Sequence, residues 1–442
     1  MTVTQLNNSV VPPGPETPHD INVTERDFFL LGEWFDTYGD IIRVTQATRK
    51  DPLLIINHPD AIKHVLVTNS KNYVKGVGFE LVKMLLGNGI IVSDGAFWWR
   101  QRRMIQPAFN KKVIAELTQQ IKQVNIRLLE KWQKLAEQNA VIDITEETNQ
   151  LALEIILRAL FSTDYEKLCG ESGDNPFAIL TDSSTRDLKL VVKYRALTKQ
   201  VGELIQQRRE QSSQAKDWLS MLMDARDKES GEPMTDKEMI DEVMTLIVAG
   251  SETSATTMNW TWYRLSQHPD VEARVHDVVD HASYETVPGF EHLEGLSYLR
   301  QVVEEVLRMY PPVWLFTRKA LDEDTIGKYP VAAGTDIAIS PYYIHRNKKF
   351  WDQPETFDPD RFAIDREKQY NKYAYIPFSA GPRRCIGDYF AIVEAQIHFG
   401  LMTRFFTLEC VEEKPIELEP AVNLRTKHPI HMRIQSRKTS QL

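Results

Sequence analysis

This sequence has few cysteines, no long apolar run and no excess of positive charge. The three cysteines in 442 residues cannot all pair and are too few for a disulfide scaffold, which favours a reducing, cytoplasmic location. No segment approaches the ~20 apolar residues of a membrane-spanning helix. The N-terminus lacks the features of a signal peptide, so we expect no membrane anchor. A net charge of −9 argues against broad binding to nucleic acid, which requires a dense basic surface.

The chain reads as one large domain behind a short leader. Residues 1–23 are polar and proline-rich and predict a flexible leader. The many aromatic side chains, 18 Phe, 15 Tyr and 9 Trp, favour a folded core. Short β-like runs at 41–44 and 53–56 precede a mostly helical stretch at 59–309, and short strands and coil follow. No linker divides residues 24–442. The pattern predicts a mainly α fold with small β-sheets.

The Gly/Pro-rich segment Phe-Ser-Ala-Gly-Pro-Arg-Arg-Cys-Ile-Gly around Cys385 is the most informative in the chain. It leads into a helix, so the sulfur should lie near free N–H groups and the positive end of the helix dipole. These groups, together with Arg383 and Arg384, should lower the pKa of the thiol. The surroundings favour a functional thiolate over a buried structural cysteine. Cys169 and Cys410 have no such context and are predicted to be inert.

The segment resembles the haem-thiolate signature of the cytochrome P-450 monooxygenases, of the soluble bacterial type. The pattern Phe-x-x-Gly-x-Arg-x-Cys-x-Gly is filled by Phe378, Gly381, Arg383, Cys385 and Gly387. The resemblance implies that Cys385 is the axial thiolate ligand of haem b, where it pushes electron density onto the iron. It also implies that Phe378 packs beside the sulfur and that Arg383 pairs with a haem propionate.

Two further elements resemble the family's structural ion network. Glu305 and Arg308 lie three residues apart on one predicted helix face, which alone is common on solvated helices. The segment 357–362, Phe-Asp-Pro-Asp-Arg-Phe, supplies Arg361 as the third member. The resemblance implies that this triad holds the cysteine loop against the helical core.

A predicted long helix at 238–263 carries Ala-Gly-Ser-Glu-Thr-Ser in its middle. A glycine and several hydroxyls are locally unfavourable inside an apolar helix, and a kink or a tolerated polar patch could explain them. The alternative is a distorted turn over a reactive metal. The resemblance favours this second interpretation, with Glu252 and Thr253 relaying protons to bound dioxygen and with Ala249 and Gly250 against the haem.

The aromatic and basic segment at 94–103 offers two registers for the Trp-x-x-x-Arg pair that contacts haem propionates in the family. We prefer Trp98 with Arg102 over Trp99 with Arg103, because family members commonly have a second arginine directly after the one that binds. Arg318 lies where many members place another propionate-binding residue.

The resemblance implies a single-domain cytochrome P-450 fold with haem buried between the long central helix and the cysteine loop. The implied reaction inserts one atom of dioxygen into an organic, apolar substrate, by hydroxylation or oxidative O-demethylation. The alternatives are a peroxide-driven peroxygenase, which would replace Glu252 and Thr253, and a non-enzymatic haem sensor or carrier. The substrate stays open among lipids, terpenoids, aromatics and methyl ethers. Candidate pocket residues are Val77, Phe79, Leu81, Met84, Leu85, Leu246, Val248, Ala249, Trp314, Leu315 and Phe316.

Electrons are expected from a separate protein, because no reductase domain follows the closing β segment. We expect a monomer that is reduced by a small acidic ferredoxin with its ferredoxin reductase; a flavodoxin is the alternative. Opposite charge would steer such a partner. The candidate basic residues are Arg100, Arg103, Lys111, Lys112 and Arg384.

Overall fold

The computed structural model describes residues 11–169, 175–180, 188–211, 215–284, 286–366 and 370–437. In chain order the α-helices are α1 Glu25–Tyr38, α2 Pro59–Lys63, α3 Phe79–Leu86, α4 Gly95–Ile105, α5 Lys111–Glu137, α6 Ile144–Phe161, α7 Tyr165–Cys169, α8 Leu188–Gln211, α9 Trp218–Asp224, α10 Asp236–Gln267, α11 Pro269–Asp280, α12 Ser297–Met309, α13 Pro341–Ile344 and α14 Asp388–Phe405. The strands are β1 Ile41–Val44, β2 Leu53–Ile56, β3 Tyr73–Lys75, β4 Val141–Asp143, β5 Phe316–Ala320, β6 Asp324–Ile326, β7 Tyr329–Val331, β8 Asp336–Ile339, β9 Phe406–Cys410, β10 Leu418–Pro420, β11 Leu424–Thr426 and β12 His431–Ser436.

The largest sheet among the described residues has five strands in the order β1-β2-β8-β5-β3. Strands β2 and β8 are parallel and fully buried, as expected for apolar central strands, and the other neighbours are antiparallel. The smaller sheets have two or three strands. The prediction of a mainly α fold with small sheets is confirmed.

Helix α10 runs through the core and positions the site. It begins with a capping box, in which Thr235 and Glu238 satisfy each other's backbone N–H groups. It packs against α6, α12 and α14. At Gly250 a Cβ atom would lie 2.8 Å from the Cδ1 atom of Ile156 on α6, so the glycine permits this close packing. The helix is continuous from Asp236 to Gln267, and the predicted distorted turn is therefore not found.

The described part of the leader, residues 11–23, is held against the sheet. The Arg43 N–H donates to the Pro13 carbonyl at 2.9 Å, and the His19 N–H donates to the Thr45 carbonyl at 2.8 Å. These bonds bring residues 13 and 19 to the edge of β1, and the flexibility of the leader stays a prediction.

Within the described ranges, no helix combines the length and the apolar character needed to cross a bilayer.

Candidate active site

A cavity of about 320 Å³ lies between α10, α14 and the cysteine loop. Its walls are mainly apolar. Seven of the residues singled out from the sequence line it: Ala249, Gly250, Thr253, Arg318, Phe378, Arg383 and Cys385. The fold therefore brings together segments more than 130 residues apart in the sequence, as the predicted haem site requires. Of the proposed substrate-pocket residues, Phe79, Leu246, Ala249 and Phe316 line this cavity.

Other proposed pocket residues lie elsewhere. Met84 on α3 is 78% exposed. Trp314 is buried beside α1, and its indole N–H donates to the Ala421 carbonyl at 2.8 Å. The side chains of Leu81 and Leu85 lie outside the described part of the structure. The remaining three, Val77, Val248 and Leu315, are not among the described residues that line the cavity.

Cys385 is the only one of the three cysteines that lines the cavity. Its side chain is accessible from the cavity, but the surrounding protein keeps the sulfur away from bulk water. The loop holds it by a backbone bond, in which the Cys385 N–H donates to the Phe378 carbonyl at 2.9 Å. Gly381 has φ +70°, and a Cβ atom there would lie 1.9 Å from the Leu66 carbonyl oxygen. Only glycine fits that position.

The predicted lowering of the thiol pKa is wrong for the protein alone. Burial raises the pKa of Cys385, although the Gly387 N–H and the guanidinium groups of Arg102 and Arg384 act in the opposite direction. Arg384 is also paired with Asp388 at 2.5 Å, which offsets its charge. A coordinated cation is the remaining factor that can deprotonate a buried thiol.

Three cations meet on one side of the cavity; Arg318 is buried, and Lys75 and Arg383 are half-buried. Lys75 and Arg318 are directly opposed in the β3–β5 register, and both line the cavity with Arg383. Burial, followed by the charges of Arg318 and Arg383, holds the pKa of Lys75 well below its usual value. Burial, followed by the charge of Arg383, lowers the pKa of Arg318 to about 10. One carboxylate, Asp94, opposes these shifts.

This cluster fits the two carboxylates of haem. Like charges that face each other across strands destabilise a sheet, and buried charges are normally paired. Three cations with one carboxylate leave an excess of positive charge, which a dianionic group would compensate. The chemistry of Cys385 and of these cations therefore matches opposite parts of one haem. Lys75 was missed in the sequence because no motif marks it, and only the strand pairing with Arg318 reveals it.

The surroundings of the two candidate Trp/Arg pairs differ. Trp98 is buried, and the Arg383 guanidinium lies 4.3 Å from its ring centroid. Arg102 donates to the Arg384 carbonyl at 3.0 Å, beside the cysteine loop. By contrast, Trp99 is 43% exposed. Arg103 pairs with Asp227 at 3.3 Å and Glu229 at 3.0 Å. This geometry favours Trp98 with Arg102, although neither residue is among those that line the cavity.

Glu252 and Thr253 are neighbours on α10 but face different spaces. Thr253 lines the 320 Å³ cavity, and its hydroxyl donates to the Ala249 carbonyl at 2.6 Å. Glu252 instead lines a more polar cleft of about 940 Å³, whose described walls include Asn149, Lys427 and His428. The helix therefore separates an apolar chamber from a polar cleft, with the acid on one side and the hydroxyl on the other.

The predicted ion network is assembled around Glu305. The Arg308 Nε lies 2.6 Å from the Glu305 Oε2, and both side chains are fully buried. The Arg361 Nε lies 3.4 Å from the Glu305 Oε1. The Arg308 guanidinium also donates to the carbonyls of His345, Pro354 and Thr356. The network thus ties α12 to the coil that leads towards the cysteine loop.

The comparisons with known proteins agree with this geometry. The sequence matches the family Cytochrome P450 over residues 21–176 and 172–432. It is 30% identical to cyclooctatin synthase of Streptomyces melanosporofaciens, over 96% of this chain and 95% of that protein. It is 34% identical to cyclooctat-9-en-7-ol 5-monooxygenase of the same organism, over 81% of this chain and 80% of that protein.

A plant protein is also similar to this chain. Protein LUTEIN DEFICIENT 5, chloroplastic, of Arabidopsis thaliana is 29% identical over 96% of this chain and 77% of that protein. Because the family match spans nearly the whole chain and a close relative is named as a monooxygenase, we conclude that this chain belongs to the cytochrome P450 family of haem-thiolate monooxygenases.

Proposed function

We propose that this monooxygenase oxidises an apolar isoprenoid, with Cys385 as the thiolate ligand of its haem. The observation that supports the site most strongly is the cavity that joins Cys385 to the three cations Lys75, Arg318 and Arg383, which share the single carboxylate of Asp94. When bound, the haem would supply the activation of dioxygen, with the thiolate pushing electron density onto the iron. The cations would hold the propionates and fix the orientation of the group.

Two residues of α10 are proposed to handle protons. Glu252 faces the polar cleft, where it can exchange protons with water, and Thr253 faces the chamber. The Thr253 hydroxyl proton is engaged by the Ala249 carbonyl, which leaves the oxygen lone pairs free to accept a hydrogen bond in the chamber. Proton transfer from the cleft to the chamber would then pass between two consecutive residues of α10. The presence of both residues favours a dioxygen-dependent reaction over a peroxide-driven one.

The substrate proposal depends on the chamber walls and on the relatives. Leu246, Phe79, Phe316, Val303 and Leu307 supply an apolar surface, which suits a hydrocarbon-like ligand. Relatives are named for cyclooctatin synthesis and for the 5-monooxygenation of cyclooctat-9-en-7-ol. An isoprenoid hydrocarbon or alcohol therefore fits better than a methylated sugar.

Optical titration of the ferric haem tests this proposal. We expect isoprenoid hydrocarbons and alcohols to shift the Soret band to shorter wavelength, and Phe316→Ala to weaken that shift. Fatty acids, simple aromatics and methylated sugars serve as comparison ligands. A shift caused by the sugars and not by the isoprenoids would contradict the assignment.

We also propose a separate acidic electron donor, a ferredoxin with its reductase or a flavodoxin, but on a smaller basic surface than the sequence predicts. Arg100 is paired with Glu238 at 2.9 Å, and Arg103 and Arg384 are paired as described above. Lys111 and Lys112 are exposed at the start of α5 and form no ion pair among the described residues. Steering would therefore depend on these two lysines.

Stopped-flow reduction by a plant-type ferredoxin tests the surface. Lys112→Glu should slow reduction at low salt, while Arg100→Gln should have little effect. The difference should vanish at high salt, because charge steering is screened over ~8 Å at physiological ionic strength. Equal rates for the Lys112→Glu variant and the unmodified enzyme at low salt would exclude this surface.

A further inference from the structure

The loop between α3 and α4 packs against the N-terminal half of α10. Residues 87–92 of this loop, Gly-Asn-Gly-Ile-Ile-Val, are called the strap below. Ile91 lines the 320 Å³ cavity, and the neighbouring Ile90 is buried in the main hydrophobic core. The position of the strap therefore sets one part of the chamber wall.

Two glycines let the strap approach α10 closely. A Cβ atom at Gly89 would lie 2.8 Å from the Asp241 backbone oxygen and would overlap the Thr245 hydroxyl. Gly87 has φ +74°, and a Cβ atom there would overlap the Asp241 carboxylate. A side chain at either position would push the strap away from the helix.

Two carboxyl groups of α10 bind the backbone of the strap. The Asn88 N–H donates to the Asp241 Oδ2 at 2.9 Å, and the Ile90 N–H donates to the Glu242 Oε2 at 2.8 Å. Glu242 is fully buried, and its Oε1 accepts a hydrogen bond from the Gln101 Nε2 of α4 at 3.1 Å. One side chain thus connects α10, the strap and α4.

Glu242 differs from Asp241 in having no ion pair among the described residues. Asp241 is paired with Lys237 at 2.7 Å. Burial raises the pKa of Glu242 to about 7, and the hydrogen bonds from the Ile90 N–H and the Gln101 amide act in the opposite direction. A buried carboxyl group without a cation is unfavourable. The two donors that it binds are the evident reason for its presence.

The charged groups near Glu242 are either paired or exposed. On α10, Glu238 and Asp241 contribute to the raised pKa, and Arg100 of α4 is paired with Glu238 at 2.9 Å. On α8, burial followed by the charge of Asp241 raises the pKa of Tyr194. Other charged side chains of elements packed against α10 are paired or exposed: Glu154 with Arg158 on α6, Glu305 with Arg308 on α12, and the exposed Glu80 and Lys83 of α3 and Asp224 of α9. Glu394 of α14 accepts a hydrogen bond from Ser254.

We propose that Glu242 is a positioning residue for substrate binding, which fixes the strap through the Ile90 N–H and thereby holds Ile91 in the chamber wall. The proposal rests on the monooxygenase chamber described above and concerns the binding of substrate rather than the oxygen chemistry. Without the Glu242 carboxyl group, the buried Ile90 N–H would lose its acceptor, and the strap should separate from α10 more often. The affinity for substrate should then fall with the fraction of molecules in which the strap is docked.

Ionisation of Glu242 should loosen the strap. When the strap separates from α10, water reaches Glu242 and its pKa should return towards 4.5, the ordinary value. The docked strap therefore binds the proton of Glu242 more tightly than the separated strap does. Docking should be firmest below pH 4.5 and should weaken by up to ~10-fold for each pH unit until the pH reaches about 7.

Hydrogen exchange of the haem-loaded protein, followed by mass spectrometry on the peptide that contains the strap, tests the contact. The protection factor of the strap, which excludes the intrinsic pH dependence of exchange, should fall between pH 5 and pH 7 in the unmodified protein. In Glu242→Gln it should stay constant, because the amide oxygen still accepts from the Ile90 N–H but cannot ionise. In Glu242→Ala it should be ~10- to 100-fold lower at pH 6, the range for losing a hydrogen bond to a charged group.

Glu272→Ala is the matched control for these variants. Glu272 is a half-buried carboxyl group on α11 whose pKa burial also raises to about 7. It makes no contact with the strap among the described hydrogen bonds and ion pairs. We therefore expect Glu272→Ala to leave the protection factor of the strap and its pH dependence unchanged.

Optical titration with an isoprenoid ligand measures the consequence for binding. Glu242→Ala should raise the dissociation constant by ~10-fold at pH 6, and Glu242→Gln should restore it. The Michaelis constant should rise in Glu242→Ala while the turnover number stays the same, because bound substrate meets an intact haem site. Ile91→Ala should also weaken binding but should leave the exchange of the strap unchanged, since it removes the wall and not the contact with α10.

A protection factor that does not fall between pH 5 and pH 7 in the unmodified protein would overturn the proposal. Unmodified protection and affinity in Glu242→Ala would do the same. If Glu242→Ala fails to load haem, the pH dependence of the unmodified protein and its loss in Glu242→Gln decide alone. An unmodified enzyme that binds none of the isoprenoids would overturn the proposed substrate, whereas the exchange of the strap would still decide on Glu242.

Discussion

Lys75 on β3 and Arg318 on β5 occupy directly opposed positions in an antiparallel pair. Both face the cavity that also contains Cys385. Two cations in register, one buried and one half-buried, oppose folding of the sheet unless an anion lies between or beside them. This arrangement should lower the stability of the haem-free protein and raise its affinity for an anionic ligand, which we propose to be the haem propionates.

Removing one of these cations should have opposite effects on the haem-free and haem-loaded proteins. Lys75→Met should raise the melting temperature of the haem-free protein, because a buried charge and its repulsion from Arg318 are lost. The same change should weaken haem binding by ~10- to 100-fold, the range for losing a hydrogen bond to a charged group. Haem transfer to an acceptor protein measures the affinity. The exposed Lys50→Met is the control, and equal haem affinities for the two variants would exclude Lys75 as a ligand.

Replacing the proposed relay residues of α10 should impair proton delivery but leave the haem site intact. Thr253→Ala should retain haem and substrate binding but divert electrons to hydrogen peroxide, with product reduced by ~10²–10⁴-fold, the usual contribution of a general acid. Glu252→Gln should slow turnover because the proposed relay would lose its carboxyl group. Product and peroxide are measured per electron consumed. Full coupling in Thr253→Ala would contradict the relay.

The ion network should be required for folding rather than for chemistry. Glu305→Ala leaves the buried Arg308 without its carboxylate, a loss that typically costs ~3–5 kcal/mol. We expect little haem-loaded protein from this variant. The neighbouring Glu304→Ala is a matched control, because Glu304 pairs with Arg300 at the surface, where such a pair contributes ~0–1 kcal/mol. Similar haem content in the two variants would disprove the structural role.

Acid should destabilise the protein partly through His398. The Trp262 indole N–H donates to the His398 Nε2 at 3.0 Å. This fixes the His398 proton on Nδ1, which donates to the Asn125 Oδ1 at 2.8 Å. Burial lowers the pKa of His398 from 6.5 to about 3. Between these values the unfolded chain binds a proton that the folded protein excludes, so stability is complete above pH 6.5 and falls as the pH decreases.

His398 should contribute about 1.4 kcal/mol to the free energy of unfolding for each pH unit below 6.5. Urea unfolding at several pH values measures the total slope. His398→Gln should reduce that slope by about this amount, whereas the exposed His281→Gln should not. An unchanged slope in His398→Gln would show that His398 is not the responsible group.

Contiguous motifs could be predicted from the sequence, and contacts between distant segments could not. Three motifs each lie within a short stretch of sequence: the loop around Cys385, the Glu252/Thr253 segment and the Glu305/Arg308 pair. Lys75 gains its significance from strand pairing with Arg318.

Electrostatic predictions failed where the sequence cannot show burial or partners. The raised pKa of Cys385 follows from burial, which outweighs the nearby positive charges. Arg100 and Arg103 are compensated by acidic residues that lie more than 120 positions away. A cluster of basic residues in the sequence therefore does not establish a surface of unpaired positive charge.

The central claim is that Cys385 supplies the thiolate to haem, and the ferrous–carbon monoxide spectrum tests it most directly. The unmodified protein should show the red-shifted Soret band of a thiolate-ligated haem. Cys385→His should bind haem but lose that band, while Cys410→Ser should retain it. A red-shifted band that persists unchanged in Cys385→His would contradict the account.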